Sequence, residues 1–160
     1  MSSDDLPGPR IRHIDDPDSQ WIEVKAQQHG DKRVSIWEKW LEFSPTCLSL
    51  YARYDPNVVV ERHGHKSDHL VFVLEGEITV GDERCTKGSH IFLDHGAAFG
   101  PIIAGPEGAD LFEVMLGDPR ANPADKPGFY ELCRQRGVEP LPNPPIDPEL
   151  LPEWFGERTD

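Results

Sequence analysis

The 160 residues carry 29 acidic and 16 basic side chains, a net charge of −13 at neutral pH, and an isoelectric point near 4.8. That length suffices for one domain with its own core, and the charge repels phosphate backbones and anionic membranes, so neither nucleic acid nor a membrane is expected as a partner. Cys47, Cys85 and Cys133 are odd in number and form no Cys-x-x-Cys pair, no apolar leader follows Met1, and no run reaches membrane-spanning length; a soluble, unexported protein of the reducing cytoplasm is expected.

Residues 1–20 are polar, contain Pro7, Pro9 and Pro17, and read as an arm ordered only by contact. Trp21-Ile22-Glu23-Val24 suits a first strand, and residues 27–31 suit a loop that carries His29. Residues 34–43 fit a helical and a strand period equally. Residues 46–54 alternate as a strand, Asp55-Pro56-Asn57 signals a turn, and Val58-Val59-Val60 runs into the stretch Glu61-Arg62-His63-Gly64-His65-Lys66-Ser67-Asp68-His69. Short strands follow at 70–74, 78–80, 84–86 and 90–93, each ended by a glycine turn, then 99–103 and 111–116 around a turn at 105–108. Such a series predicts an all-β jelly roll or closed barrel over residues 21–116, with no helix long enough for a parallel crossover.

Residues 117–160 hold nine prolines, which confines regular structure to short pieces. A helix over 127–136 ending at Gly137 and a helical turn or two within 147–155 are predicted, with Trp154 and Phe155 docked on the barrel or on a second subunit.

Three of the seven histidines fall within seven residues. In an extended chain His63 and His65 share a face. Lys66-Ser67-Asp68 then turns the chain, so that His69 faces them from the next strand. Three neutral imidazoles suit Zn, Fe, Ni or Cu and leave positions open for water or substrate, which is a catalytic form of site.

The spacing His63-x-His65, three residues, His69, six residues, Gly76 resembles the first motif of the cupin superfamily, which runs His-x-His, three or four residues, Glu, six residues, Gly. Gly88 and Gly96 resemble the second motif, in which Asp94 stands where Pro is common and Phe99 where a fourth ligand, a histidine, is usual. The likeness spans residues 46–116 and points to a small single-domain cupin of type-2-like form with a variant second motif. It implies a double-stranded β-helix, a homodimer, and one divalent transition metal, Fe(II) first with Zn, Mn or Ni as alternatives, held by His63, His65 and His69. An all-histidine set is similar to the iron sites of some cupin dioxygenases, where the third histidine usually comes from the second motif.

His95 is a further candidate ligand, ahead of His90, and Asp68 a candidate for the surrounding shell. Glu113 is a candidate general base if its side chain points inward, and Tyr51, Tyr54, Phe72, Phe92 and Phe99 are candidate pocket residues. The function expected is a mononuclear metalloenzyme acting on a small organic molecule by dioxygenase, isomerase or lyase chemistry. The alternative is a non-catalytic module that binds a small ligand, with a structural or vestigial metal site.

Overall fold

The computed structural model of the chain describes residues 5–155; the first four residues of the expected arm and the last five of the C-terminal extension lie outside these. The described residues form ten strands: β1 (Ile22–His29), β2 (Lys32–Ser44), β3 (Cys47–Tyr54), β4 (Val59–Val60), β5 (His63–Val80), β6 (Glu83–Thr86), β7 (His90–Leu93), β8 (Ala98–Phe99), β9 (Ile102–Pro123) and β10 (Val138–Pro140). They pair antiparallel in the order β10-β1-β2-β3-β9-β5-β6, with β4 on β9 and both β7 and β8 on β5. This is the expected all-β jelly roll, a double-stranded β-helix.

Its frame is the ladder between β5 and β9, which runs from His63 opposite Pro123 to Val80 opposite Ile102 and is broken by three register shifts. Each shift bends the pair, so two long strands reach across both faces of the roll. Two sequence expectations change here. Residues 66–68 make no turn, and Gly76 ends no strand: the chain continues as one 18-residue strand. Gly76 is instead a bend at φ +70°, and a Cβ there would lie 2.1 Å from the Gly108 carbonyl oxygen, so a close approach of β9 takes the place of a turn. The undecided stretch 34–43 is strand, because its ladder with β3 supplies the hydrogen bonds that period alone did not assign.

Inward alternation builds the core. Leu48, Leu50, Ala52 and Tyr54 of β3, Val71 and Val73 of β5, and Leu111 and Met115 of β9 are buried in one cluster. The same inward set on β5 and β9 includes His65, Ser67, His69 and Glu113, polar groups in apolar rows. Helix α1 (Lys126–Arg136) is capped by the Asp125 side chain, which accepts from the Gly128 amide, and ends at left-handed Gly137. It buries Cys133 against Val59 and Val138. From residue 5 on, the arm runs without a strand up to β1, tied by the Arg10–Glu42 ion pair and by Lys39 Nζ donating to the Ile14 carbonyl.

Gly64, between two histidines, has the Ala97 carbonyl where a side chain would stand: a Cβ would sit 2.2 Å from that oxygen. Gly64→Ala is expected to lower stability by about 1–3 kcal/mol in urea denaturation. Gly8→Ala, at a position with nothing within 4 Å, serves as the unchanged control.

Candidate metal centre and cavity

His63, His65 and His69 all stand on β5 at odd positions, so alternation alone turns all three to the same side. His69 therefore does not come from a neighbouring strand, since no turn intervenes. The ring centroids of His63 and His65 lie 5.2 Å apart and those of His65 and His69 4.9 Å. Imidazoles sharing an ion about 2 Å from each ligating nitrogen would have centroids roughly 5 Å apart.

Each ring is held through one nitrogen. His63 Nδ1 donates to the Glu61 carbonyl at 2.8 Å. His65 Nδ1 donates to the carbonyls of Pro119 and Arg120 at 3.0 and 3.1 Å. These two acceptors come from a bulge: His65 pairs with Ala121 and Lys66 with Asp118, so Pro119 and Arg120 have no partners on β5 and their carbonyls are available to the ring. His69 Nε2 lies 3.0 Å from Glu113 Oε1, both side chains almost fully buried. Glu113 pairs with Val71 and Met115 with His69, which makes Glu113 the diagonal neighbour of His69, within reach of a long side chain.

With the carboxylate accepting from Nε2, His69 Nδ1 keeps its lone pair, and that atom is buried without a hydrogen-bond partner. Such an acceptor costs about 1–3 kcal/mol unless something meets it. Among the described residues no group of three His, Cys, Asp or Glu side chains is already drawn together as a metal site. The orphaned nitrogen, the ring spacing and the fixing of each imidazole through its other nitrogen nonetheless fit a metal.

Burial lowers the pKa of His63. It also lowers that of His65, helped by the neighbouring His69 and His63, to about 4. Both rings are thus neutral at pH 7, as ligands must be. Tyr54 is pushed well above its usual value by burial, then by Glu113 and Glu38, and keeps its O–H.

The rings open onto a cavity of about 110 Å³ whose lining also includes Lys25, Glu38, Tyr54, Glu61 and Glu113. Trp40, Phe43 and Met115 form its apolar wall together with Leu151 and Phe155 from the tail. Of the aromatic candidates, Tyr54 lines the cavity, while Phe99 is buried and packs against His63 and His69 at 5.2 and 5.6 Å. Phe72 and Phe92 do not: they occupy the outward parity of β5 and β7 and are 37% and 52% exposed. Tyr51 likewise points away, its ring tilted against Trp21 and its O–H donating to Asp110 Oδ2.

His95 is exposed in a turn, and the Asp68 carboxylate accepts from its backbone amide, so this pair fixes a loop and stays off the cavity. His90 is exposed on β7. Sequence reasoning did not find Lys25, Glu38, Glu61, Leu151 or Phe155 as cavity residues. Glu61, two residues before His63 and on its parity, carried the one available signal.

No family model matches the chain, and no curated protein matches its sequence. Solved structures do. The polyketide cyclase RemF from Streptomyces resistomycificus superposes with a TM-score of 0.59 at 16% identity, covering 79% of this chain and 94% of that one. An acetylacetone dioxygenase from Acinetobacter johnsonii gives 0.58 at 16% identity, covering 80% and 87%. A putative acetylacetone dioxygenase from Methylibium petroleiphilum gives 0.57 at 14% identity, covering 86% and 90%. At these identities the likeness establishes the fold.

The depressed pKa of His65 carries a sign for stability. The unfolded ring takes a proton near pH 6.5 and the folded one near 4, so stability from this group is full above 6.5 and is lost as pH falls from 6.5 towards 4. The loss should reach roughly 3 kcal/mol, and His65→Gln should flatten that part of the profile in urea denaturation followed against pH.

Proposed function

We propose that this chain, a cupin by fold, holds one divalent transition metal on His63, His65 and His69 and acts on a small organic molecule in the adjoining cavity. Fe(II) is favoured, with Zn, Mn or Ni as alternatives. The observation that carries this reading is the partnerless, buried Nδ1 of His69 in a ring whose other nitrogen meets Glu113. A bound ion would supply Lewis acidity or oxygen activation.

The chain's own groups do the rest. The carbonyls of Glu61, Pro119 and Arg120 set the tautomers of His63 and His65, so that Nε2 of each is the lone-pair nitrogen. Glu113 stands behind His69, fixing the orientation of that ring through Nε2, and its carboxylate would offset part of an ion's charge. This makes Glu113 a positioning residue ahead of the general base considered from sequence. Phe99, where the family carries its fourth ligand, covers the histidines with a dry ring and leaves that coordination position without a protein donor. Tyr54 supplies an O–H to a bound molecule.

Dioxygenase, isomerase and lyase chemistries all suit such a centre, and the similar structures named for a cyclase and a dioxygenase support a range of this kind. A second reading, a non-catalytic ligand-binding module, is favoured by the same Phe99, which plugs the usual fourth-ligand place. In either case the protein works in the cytoplasm, where Cys47, Cys85 and Cys133 remain free thiols, and away from nucleic acid and membranes. Among the described residues no helix is long and apolar enough to cross a membrane.

The chain is further proposed to pair as a homodimer. Outward residues of three adjacent strands make one apolar face: Phe92, Leu70 and Val114 form a row across β7, β5 and β9, beside the neighbouring pair Phe72 and Phe112. In a chain of charge −13, an uncharged face is where two copies approach with least repulsion.

Protein purified without a polyhistidine tag should contain close to one metal per chain by elemental analysis. His65→Ala should lower affinity by more than about 100-fold and Glu113→Gln by about 10–100-fold, while His29→Ala leaves it unchanged. A metal-free protein whose melting temperature is unmoved by Fe(II), Mn(II), Ni(II) and Zn(II) would refute the reading. Loaded protein that binds small molecules but turns over none supports the non-catalytic module. For the dimer, light scattering should give twice the chain mass, and Phe72→Glu with Phe92→Glu should halve it without loss of metal.

A further inference from the structure

The cavity beside the histidines is selective in charge and in size. Among the described residues its charged lining is Glu38, Glu61 and Glu113 with Lys25. Lys25 Nζ lies 3.9 Å from Glu61 Oε1, so this cation is already turned towards a carboxylate of the same wall. Glu61 Oε2 is buried and has no hydrogen-bond partner, an acceptor facing no donor. Glu113 accepts from His69, and Glu38 from the Trp40 indole. Among the described residues no arginine lines the cavity. An anionic ligand would therefore enter a chamber whose described lining carries two more negative than positive side chains, an excess that a divalent ion at the histidines would do no more than neutralise.

Size is set by the tail. Phe155 is buried although it lies five residues from the end of the chain. Its ring meets Phe43 edge-on at 5.1 Å, the Arg120 guanidinium stacks over it at 4.3 Å, and its carbonyl accepts from the same guanidinium. Arg120 is in turn held by Asp118. The wall made by Phe155 is thus fixed, and the space behind it is about 110 Å³, against the roughly 150 Å³ of a cavity that takes benzene.

Resting on the cavity being the substrate site, we infer that the substrate class is compact, uncharged and largely apolar, no larger than a single six-membered ring. It carries an N–H or O–H that donates to Glu61, and Phe155 sets the size limit. Carboxylates, phosphates and fused-ring molecules are rejected.

The test uses full-length protein, with and without one equivalent of Zn(II), titrated with isobutyramide and its isosteric anion isobutyrate and followed by nuclear magnetic resonance. Isobutyramide should bind at least about tenfold more tightly than isobutyrate in both preparations, because burying an unpaired charge costs far more than burying an amide that finds a partner. Glu61→Gln should narrow that preference. 2-Naphthamide should bind only after Phe155→Ala, or after Phe155→Leu if the alanine variant does not fold by circular dichroism. Equal or tighter binding of isobutyrate, binding of neither probe, or wild-type binding of 2-naphthamide overturns the inference. Calorimetry of Zn(II) on the same protein separates the two readings: no metal uptake with the amide preference intact removes the metal alone, and uptake without the preference removes this inference alone.

Discussion

The pairing of β5 with β9 is the constraint on which the rest of the structure depends. It supplies the long ladder of the roll, and its offsets decide which groups meet. The shift at His65 leaves Pro119 and Arg120 unpaired on β9, and their carbonyls then take the His65 imidazole. A few rungs along, the same register brings Glu113 diagonally to His69. A slip of one residue would send all three histidines to the outer face and the apolar row Leu70, Phe72 inward. The candidate centre is therefore a consequence of strand register more than of any local turn.

The centre is also costly to keep without an occupant. Three imidazoles and a carboxylate occupy positions that apolar side chains fill elsewhere on the same strands. Burial holds two of the rings neutral, and every imidazole has one nitrogen committed to the protein. What remains is a set of lone pairs, one of them sealed from any partner. Polar groups buried to this degree usually have a use, because each unmet acceptor subtracts from a folding free energy of only about 5–15 kcal/mol.

The tail and the core of the site are mechanically joined through Arg120. Its carbonyl orients His65, while its guanidinium anchors Phe155 and is itself gripped by Asp118. The residue that closes the cavity and the residue proposed as a metal ligand thus share one support. Trp154, by contrast, is half exposed and touches Phe43 only by its ring edge; of the two tail aromatics, Phe155 supplies the buried contact.

By itself the sequence determined the strand-rich architecture, the helix ended by Gly137 and the grouping of His63, His65 and His69 on one side, because alternation and turn chemistry are local properties. Its resemblance to the second cupin motif also set Phe99 where that family usually carries a histidine ligand. Tertiary structure alone decided that these histidines share a single strand, that Phe72 and Phe92 face outward while Glu113 faces inward, and that Glu61 and Phe155 border the cavity. The parity of a strand fixes which residues share a face, but only pairing with a distant strand fixes which face is the interior. The bulge at Pro119 and Arg120 has no signature in the chain, because it exists only as a mismatch in length between two strands about fifty residues apart.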